Sequence, residues 1–282
     1  MCTGGAVSNT GLGLKRLGAD VVLMAKIGDD YFGNALKDMI SAHGCESCIS
    51  QAPGENTSYT IVLAPKGLDR FFLHDPGCND TFGYADVDFG KVGEAAHFHF
   101  GYPPIMRRFY LDDGEELVRL FKKVKSMGLT TSLDLVAVDP DSEAADMDWA
   151  KILERVLPYV DFFAPSIEEL GYMLDRPLYC KWQETAGGGD LQSISEIIIA
   201  YFGHQDHVRS QTFEPQTSVG NSASCTHHGL SHFKQLSRLK QFRELLLPAV
   251  LENRRNVQGN MPGHCYLFIS FSHLTSPFRT QS

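Results

Sequence analysis

Apolar and polar positions along the first 202 residues follow two alternating rhythms, one strand-like and one helix-like. Val21–Ala25 is a short unbroken apolar run behind Gly18, the pattern of a buried strand. Leu36, Met39 and Ile40 then share one face of a helix predicted over Asn34–Ala42, with Gly44 as its stop. Ser58–Ala64 and Arg70–His74 are strand-like and separated by Pro65-Lys66-Gly67, which predicts a hairpin. His97–Phe100 predicts a further short strand. Leu117, Leu120, Phe121 and Val124 stand at i, i+3, i+4 and i+7, one helical face ended by Gly128. Leu129–Leu135 reads as a strand. Trp149, Ile152, Leu153 and Val156 form another helical stripe, stopped by Pro158. Val160–Ala164 is strand-like, and Ser166-x-x-Glu169 is a capping box opening a helix through Leu174.

Strands alternating with helices of this length imply parallel β-α-β units and an α/β fold, with the hairpin near residue 65 outside the main sheet. Past Gly203 the rhythm fails. Residues 204–235 are polar, Gln235–Val250 has helix character, and Cys265–Phe271 is a candidate strand. Charge shifts at the same place. Residues 1–202 hold 17 Lys+Arg and 30 Asp+Glu, a net of −13; residues 203–282 hold 8 and 4, a net of +4. The reading is one domain over 1–202 and a tail of different origin over 203–282.

With 282 residues and 43% hydrophobic content, the chain suits one medium-to-large domain or a domain with an appendage. It has no apolar run near the roughly 18–20 residues that cross a membrane. Met-Cys-Thr-Gly-Gly at the start predicts no secretory signal. A net charge of −9 argues against a nucleic-acid surface. Seven scattered cysteines predict a reduced, cytoplasmic setting rather than a disulfide framework. Cys45-Glu-Ser-Cys48 lacks a second ligand pair and reads as a helix-to-strand turn. The histidines at 204, 207, 227, 228 and 232 with Cys225 fit no metal-site spacing, so no metal cluster is expected.

The chemistry-bearing residues cluster at the start. Gly4-Gly5-Ala6-Val7-Ser8-Asn9, then Leu17-Gly18-Ala19-Asp20, then Lys26-Ile27-Gly28-Asp29-Asp30-Tyr31-Phe32-Gly33 resemble the N-terminal signature of the PfkB/ribokinase family of sugar kinases. Paired glycines allow a hinge and close approach to a ligand, and Asn9 offers donor and acceptor groups to sugar hydroxyls. The plain alternative is a turn at Gly4-Gly5 and a helix cap at Asn9. The resemblance implies a ribokinase-like three-layer α/β/α sandwich. It also implies a β-hairpin lid around residues 57–76, with Arg70 and Asp75-Pro76-Gly77-Cys78-Asn79 at the lid exit. Thr131-Ser132-Leu133-Asp134 resembles a strand ending in a family aspartate. Val160–Leu170 resembles the strand and helix of the family's N-x-x-E motif, with Ser166 in the asparagine position and Glu169 retained.

The resemblance thus implies transfer of the ATP γ-phosphate to a sugar or nucleoside hydroxyl. Gly4, Gly5 and Asn9 would lie on the substrate side, and Asp134 and Glu169 on the phosphate and magnesium side. Subunits would pair through the lid, with neither nucleic acid nor membrane as partner. Two elements depart from the pattern: the strand that precedes the di-glycine, and the D-T-x-G-A-G-D catalytic motif after further ATP-side strands. Glu184-Thr185-Ala186-Gly187-Gly188-Gly189-Asp190 imitates that motif, and a glycine loop before a helix binds anions. It follows Leu174 too soon, so Asp190 is only a weak candidate base and the fold is expected to be incomplete in its ATP-binding half. A sugar-binding remnant without catalysis, or a non-functional truncated product, stands as the alternative. A dinucleotide-binding reading of Gly11-Leu-Gly13 fails because no strand leads into it.

Overall fold

The computed structural model describes residues 1–45, 48–66, 71–177, 179–180, 265–270 and 273–278, the last two stretches by their backbone course. The chain opens on β1 (Cys2–Gly4), turns at Gly5 with φ 78°, and enters a wide π-type turn over Val7–Leu12 and a single α-turn, α1 (Gly13–Arg16). The Val21–Ala25 run lies inside β2 (Asp20–Gly28), and the predicted helix is α2 (Tyr31–Ser41). β3 (Cys48–Ala52) is a strand the sequence pattern did not single out; Cys48 opens it and Cys45 is buried just before it. The expected hairpin is β4 (Tyr59–Leu63) paired antiparallel with β5 (Phe71–Asp75).

After the short helix α3 (Phe89–Gly93), whose first turn is capped by Asp88, come β6 (His97–Gly101) and α4 (Arg107–Ser126). Then follow β7 (Thr130–Asp134), α5 (Trp149–Val156), the two-residue β8 (Phe162–Phe163) and α6 (Ile167–Leu174). The strand expected over Val160–Ala164 is thus reduced to its centre. The chain returns as β9 (Cys265–Ser270) and β10 (His273–Phe278). The predicted helix over Gln235–Val250, Arg70, Asp190 and the histidines at 204, 207, 227, 228 and 232 lie outside the described residues.

Two sheets result. The larger is parallel throughout, in the order β3-β2-β9-β6-β7-β8. The smaller has the order β1-β10-β4-β5 and contains the hairpin, which therefore stands outside the main sheet as its pattern implied. The near-continuous apolar run of β9 is the composition usual for a parallel strand.

Side-chain alternation along β2 separates two cores. Val21, Leu23, Ala25 and Ile27 pack with Val7, Leu12, Leu36 and Ile40 on one face of the sheet. Met24 joins Phe98, Phe100 and Leu133 on the other, under Leu117, Leu120 and Phe121 of α4 and Trp149, Ile152 and Leu153 of α5. Helices on both faces make the three-layer sandwich. Among the described residues no helix is long and apolar enough to cross a membrane.

The α4 stripe is longer than the 117–124 pattern suggested, and it breaks at Leu111–Gly114. Asp112, Asp113 and Gly114 all take positive φ there, and Arg155 donates to the Asp112 and Asp113 carbonyls. A Cβ at Gly114, φ 73°, would come within 2.7 Å of Ile152 Cγ2, a fully buried methyl. Gly114→Ala is therefore expected to cost about 2 kcal/mol, from the left-handed backbone and the displaced Ile152 together. A shift of the urea midpoint measures it.

Candidate functional site

Open α/β sheets bind ligands beyond the carboxyl ends of their strands, where the strand order reverses. From β2 the chain steps outward to β3, whereas from β6 it steps the other way to β7 and β8, so the reversal lies between β2 and β6. At that edge Gly101 of β6 sits level with Asp134 of β7. Tyr102 follows at once with φ 70° and ψ 44°, its backbone N–H donating 3.1 Å to the Asp134 carbonyl. A residue before proline is ordinarily held extended, so a left-handed tyrosine ahead of Pro103-Pro104 is a strained position fixed by its surroundings.

Three sequence-selected residues bear on the Tyr102 phenol. Tyr102 shares a side-chain hydrogen bond with Asn9 and feels the charges of both Asp134 and Glu169. Burial pushes the phenol upward, the Asn9 hydrogen bond opposes it, and the two carboxylates add to the rise. Asp134 is raised to about 6: burial is the main cause, Glu169 contributes, and the Leu135 N–H donating at 2.9 Å works against them. Glu169 is also raised, by burial first, despite its bonds to Ser166.

Local structure fixes each member. Glu169 is the third residue of α6 in the expected capping box: Ser166 N–H donates 2.7 Å to Glu169 Oε2, and Glu169 N–H donates 3.2 Å to Ser166 Oγ. Asn9 lies exposed within the wide turn of residues 7–12 and is not a helix cap; such π-type turns are frequent at functional sites. Gly4 and Gly5 are buried at the join of β1 and that turn. Two buried side-chain atoms in these motif segments, Ser8 Oγ and Asn79 Nδ2, have no hydrogen-bond partner among the described residues.

The Gly28-Asp29-Asp30-x-Phe32-Gly33 segment has a different task. Asp30 caps α2 through Gly33 N–H at 2.7 Å and also accepts from Thr57 N–H and Thr57 Oγ1, both at 2.8 Å. Thr57 Oγ1 in turn accepts from Gly28 N–H at 2.8 Å. A Cβ on Gly28 would run into the backbone of Glu55, Asn56 and Thr57. Asp29 accepts from Gly54 N–H at 3.1 Å. The motif therefore anchors the strand entering the small sheet to the main sheet. Burial alone would raise Asp30, but its hydrogen bonds from Thr57 and Gly33 outweigh that and hold it below the usual carboxylate range.

Sequence reasoning assigned no role to Tyr102 and did not find Thr57. The detectable signal for Tyr102 was an aromatic residue wedged between Gly101 and a double proline; Thr57 carried none, since its partners are 27 and 29 residues away.

A parallel sheet between two helical layers, with its site at the strand-order reversal and a small β sheet beside it, defines a ribokinase-like α/β protein. The chain belongs to the pfkB family of carbohydrate kinases, whose pattern matches residues 1–205. An uncharacterized sugar kinase of Archaeoglobus fulgidus is 25% identical over 195 residues, 69% of this chain and 71% of that protein. Fructokinase-2 of Oryza sativa is 24% identical over 173 residues, 60% of this chain and 50% of that protein. The chain thus spans from 50% to 71% of the length of these relatives. Among solved structures, an uncharacterized sugar kinase from Pyrococcus horikoshii superimposes with a TM-score of 0.52 at 26% identity, covering 61% of this chain and 56% of that one. The same kinase in complex with ATP gives 0.50. The fructokinase of Xylella fastidiosa, 21% identical with a TM-score of 0.52 over 71% of this chain and 58% of that one, shares the fold.

Proposed function

We propose that this chain holds a sugar between the small sheet and the carboxyl edge of the main sheet, and that it phosphorylates one sugar hydroxyl with ATP. The observation that carries the reading is the placing of Asp134 and Tyr102 together at the strand-order reversal, with Asn9 hydrogen-bonded to the Tyr102 phenol and Glu169 within electrostatic reach of it. Gly4, Gly5 and Asn9 face the sugar in this reading, and the orphaned Ser8 Oγ and Asn79 Nδ2 suit hydroxyl partners. Fructokinases among the relatives make fructose the first acceptor to try.

Asp134 and Glu169 would hold magnesium. The donor chemistry fits: two carboxylates within electrostatic reach of one another offer the oxygen ligands a hard cation takes while keeping several waters. Magnesium, when bound, neutralises charge on the transferring phosphoryl group. Closing the small sheet over the site would exclude water from that transfer. Asp190 is only a weak candidate for taking the hydroxyl proton, because it follows Leu174 too soon. The reading places the protein in the cytoplasm, the setting its scattered cysteines suit. It also pairs two copies through the small sheet, where Phe71, Phe72 and Leu73 of the edge strand are 54%, 58% and 57% exposed.

ADP release from the purified chain with magnesium-ATP, measured against fructose, other sugars and nucleosides, tests the reading. Sugar-dependent turnover is the expected result; its loss in Asp190→Ala would make the glycine loop over 187–189 a working anion hole. Asn9→Ala is expected to weaken sugar use about tenfold or more, the worth of a hydrogen bond to a buried hydroxyl. Saturable sugar binding without turnover would leave a binding protein, and neither binding nor turnover would end the proposal.

A further inference from the structure

The carboxyl end of β2 carries a lysine that the site described above does not use. Lys26 stands two residues before Gly28, and its side chain is only 11% exposed. Its Nζ donates 2.8 Å to Thr81 Oγ1 and lies 3.0 Å from Glu55 Oε1. The Thr81 hydroxyl donates in turn to Glu55 Oε2. Burial alone would raise the Glu55 carboxyl, but the bonds from Thr81 and Lys26 outweigh it and hold it below the ordinary range, so it stays charged at neutral pH.

The three residues belong to three separate stretches of chain. Lys26 is part of the main sheet, Glu55 precedes β4, and Thr81 follows β5. The stretch entering the small sheet and the stretch leaving it are also bonded to one another. Cys78 N–H donates 2.8 Å to the Asn56 carbonyl, and Ser58 Oγ donates 2.9 Å to the Asp75 carbonyl. A Cβ on Gly77, φ 48°, would come within 2.5 Å of the Asn56 carbonyl oxygen, so the two backbones pass in contact. Cys78 Sγ donates 3.1 Å to the Lys26 carbonyl. Asp30 holds the entering stretch through Thr57. Among the described residues, Lys26 is the main-sheet residue whose side chain bonds both stretches.

Building on the sugar-kinase reading above, we propose that Lys26, with Glu55 and Thr81, clamps both roots of the small sheet to β2 and so fixes the pose in which that sheet covers the site. Lys26 is a positioning residue in this role: it acts through the small sheet. An ammonium has three donors, enough to serve both roots at once. Without it the roots can part, the sheet covers the site less closely, and water gains access to the transferring phosphoryl group.

Hydrogen exchange of the full chain, followed by mass spectrometry, reads the clamp without any ligand. Lys26→Met is expected to speed exchange about tenfold over residues 59–63 and 71–75 and to leave residues 117–126 unchanged. Thr81→Val, which releases one root, is expected to give a smaller change in the same place, and Thr81→Ser, which keeps the hydroxyl, to match the parent. Unchanged exchange in Lys26→Met, or exchange faster everywhere alike, overturns the proposal.

ADP release with magnesium-ATP, D-fructose and the same sugar panel reads the positioning role. Lys26→Met is expected to raise the sugar KM, to lower kcat about tenfold and to enlarge the share of ADP released without sugar. If the parent turns over a sugar and Lys26→Met keeps its KM, kcat and sugar dependence, this inference fails and the sugar-kinase reading stands. If the parent chain shows no sugar-dependent turnover, the functional reading fails and the positioning role goes with it.

Discussion

Asp30→Ala is expected to lower the unfolding free energy by about 4 kcal/mol, the combined worth of a helix cap near 1 kcal/mol and two charge-assisted hydrogen bonds to Thr57. Asp30 accepts from Gly33 N–H, Thr57 N–H and Thr57 Oγ1 at once. Thr57 is 1% exposed, so its N–H has no water to turn to when the carboxylate is gone. Two elements would loosen together: the first turn of α2, and the strand that leads into the small sheet. Asp30→Asn keeps one acceptor oxygen and is expected to lose about half as much. Urea unfolding of the three proteins, followed by far-ultraviolet circular dichroism, measures the effect. A loss below about 1 kcal/mol for Asp30→Ala would show that the carboxylate is only a helix cap. The distinction bears on function, because Thr57 stands where the chain leaves the main sheet for β4 of the small one.

Stability is expected to fall by about 3 kcal/mol between pH 6.5 and 4 on account of His99. His99 is 8% exposed, and burial, helped by the neighbouring His97, pulls its pKa down to about 4. Above pH 6.5 the imidazole is neutral in both the folded and the unfolded chain. As pH falls below 6.5 the unfolded chain takes up a proton that the folded chain refuses, so stability drops until the folded pKa is reached, and levels off below it. Burial also lowers His97 and His74, so both act in the same direction. Ser132 Oγ lies between the two neighbouring rings, 2.7 Å from His99 Nδ1 and 2.8 Å from His97 Nε2, which ties the strand pair β6–β7 to this charge state. His99→Gln keeps a polar group beside Ser132 and cannot titrate in this range. Urea midpoints measured from pH 7.5 to 4 should therefore show a shallower slope for His99→Gln than for the parent; parallel slopes would contradict the assignment.

Much of the fold was legible because its signals are local. The capping box of Ser166 and Glu169 needs only residues three apart, and both of its hydrogen bonds are present. The stripe Trp149, Ile152, Leu153 and Val156 forms α5, with all four residues buried. The hairpin was announced by two apolar runs around Pro65-Lys66-Gly67 and stands in its own sheet. β1, β3 and β10 were not visible in the same way. Cys2–Gly4 and Cys48–Ala52 are too short to show a period, and the polar, proline-containing His273–Phe278 lacks an apolar alternation. These strands exist because a neighbour offers them a hydrogen-bonding edge, which is a property of the neighbour.

The candidate site divides along the same line. Asn9, Asp134 and Glu169 were selected from motif spacing; Tyr102, hydrogen-bonded to Asn9 and within electrostatic reach of both carboxylates, was not, because its backbone conformation is encoded by no spacing. Gly28 and Gly33, read as part of a signature, are small because the backbones of residues 55–57 and of Gly28 itself pass against them.

By itself the sequence determined the local elements, the parallel α/β class and the family, since periodicity, capping and motif spacing are written in neighbouring residues. The run Cys265–Phe271 even declared itself a strand. Only the tertiary structure decided that this strand lies between β2 and β6, roughly 240 and 170 residues away along the chain, and that its last residue stands beside Gly101 at the edge of the site. Strand order depends on which hydrogen-bonding edges remain open once the rest of the sheet has formed, and that condition exists only in the folded molecule.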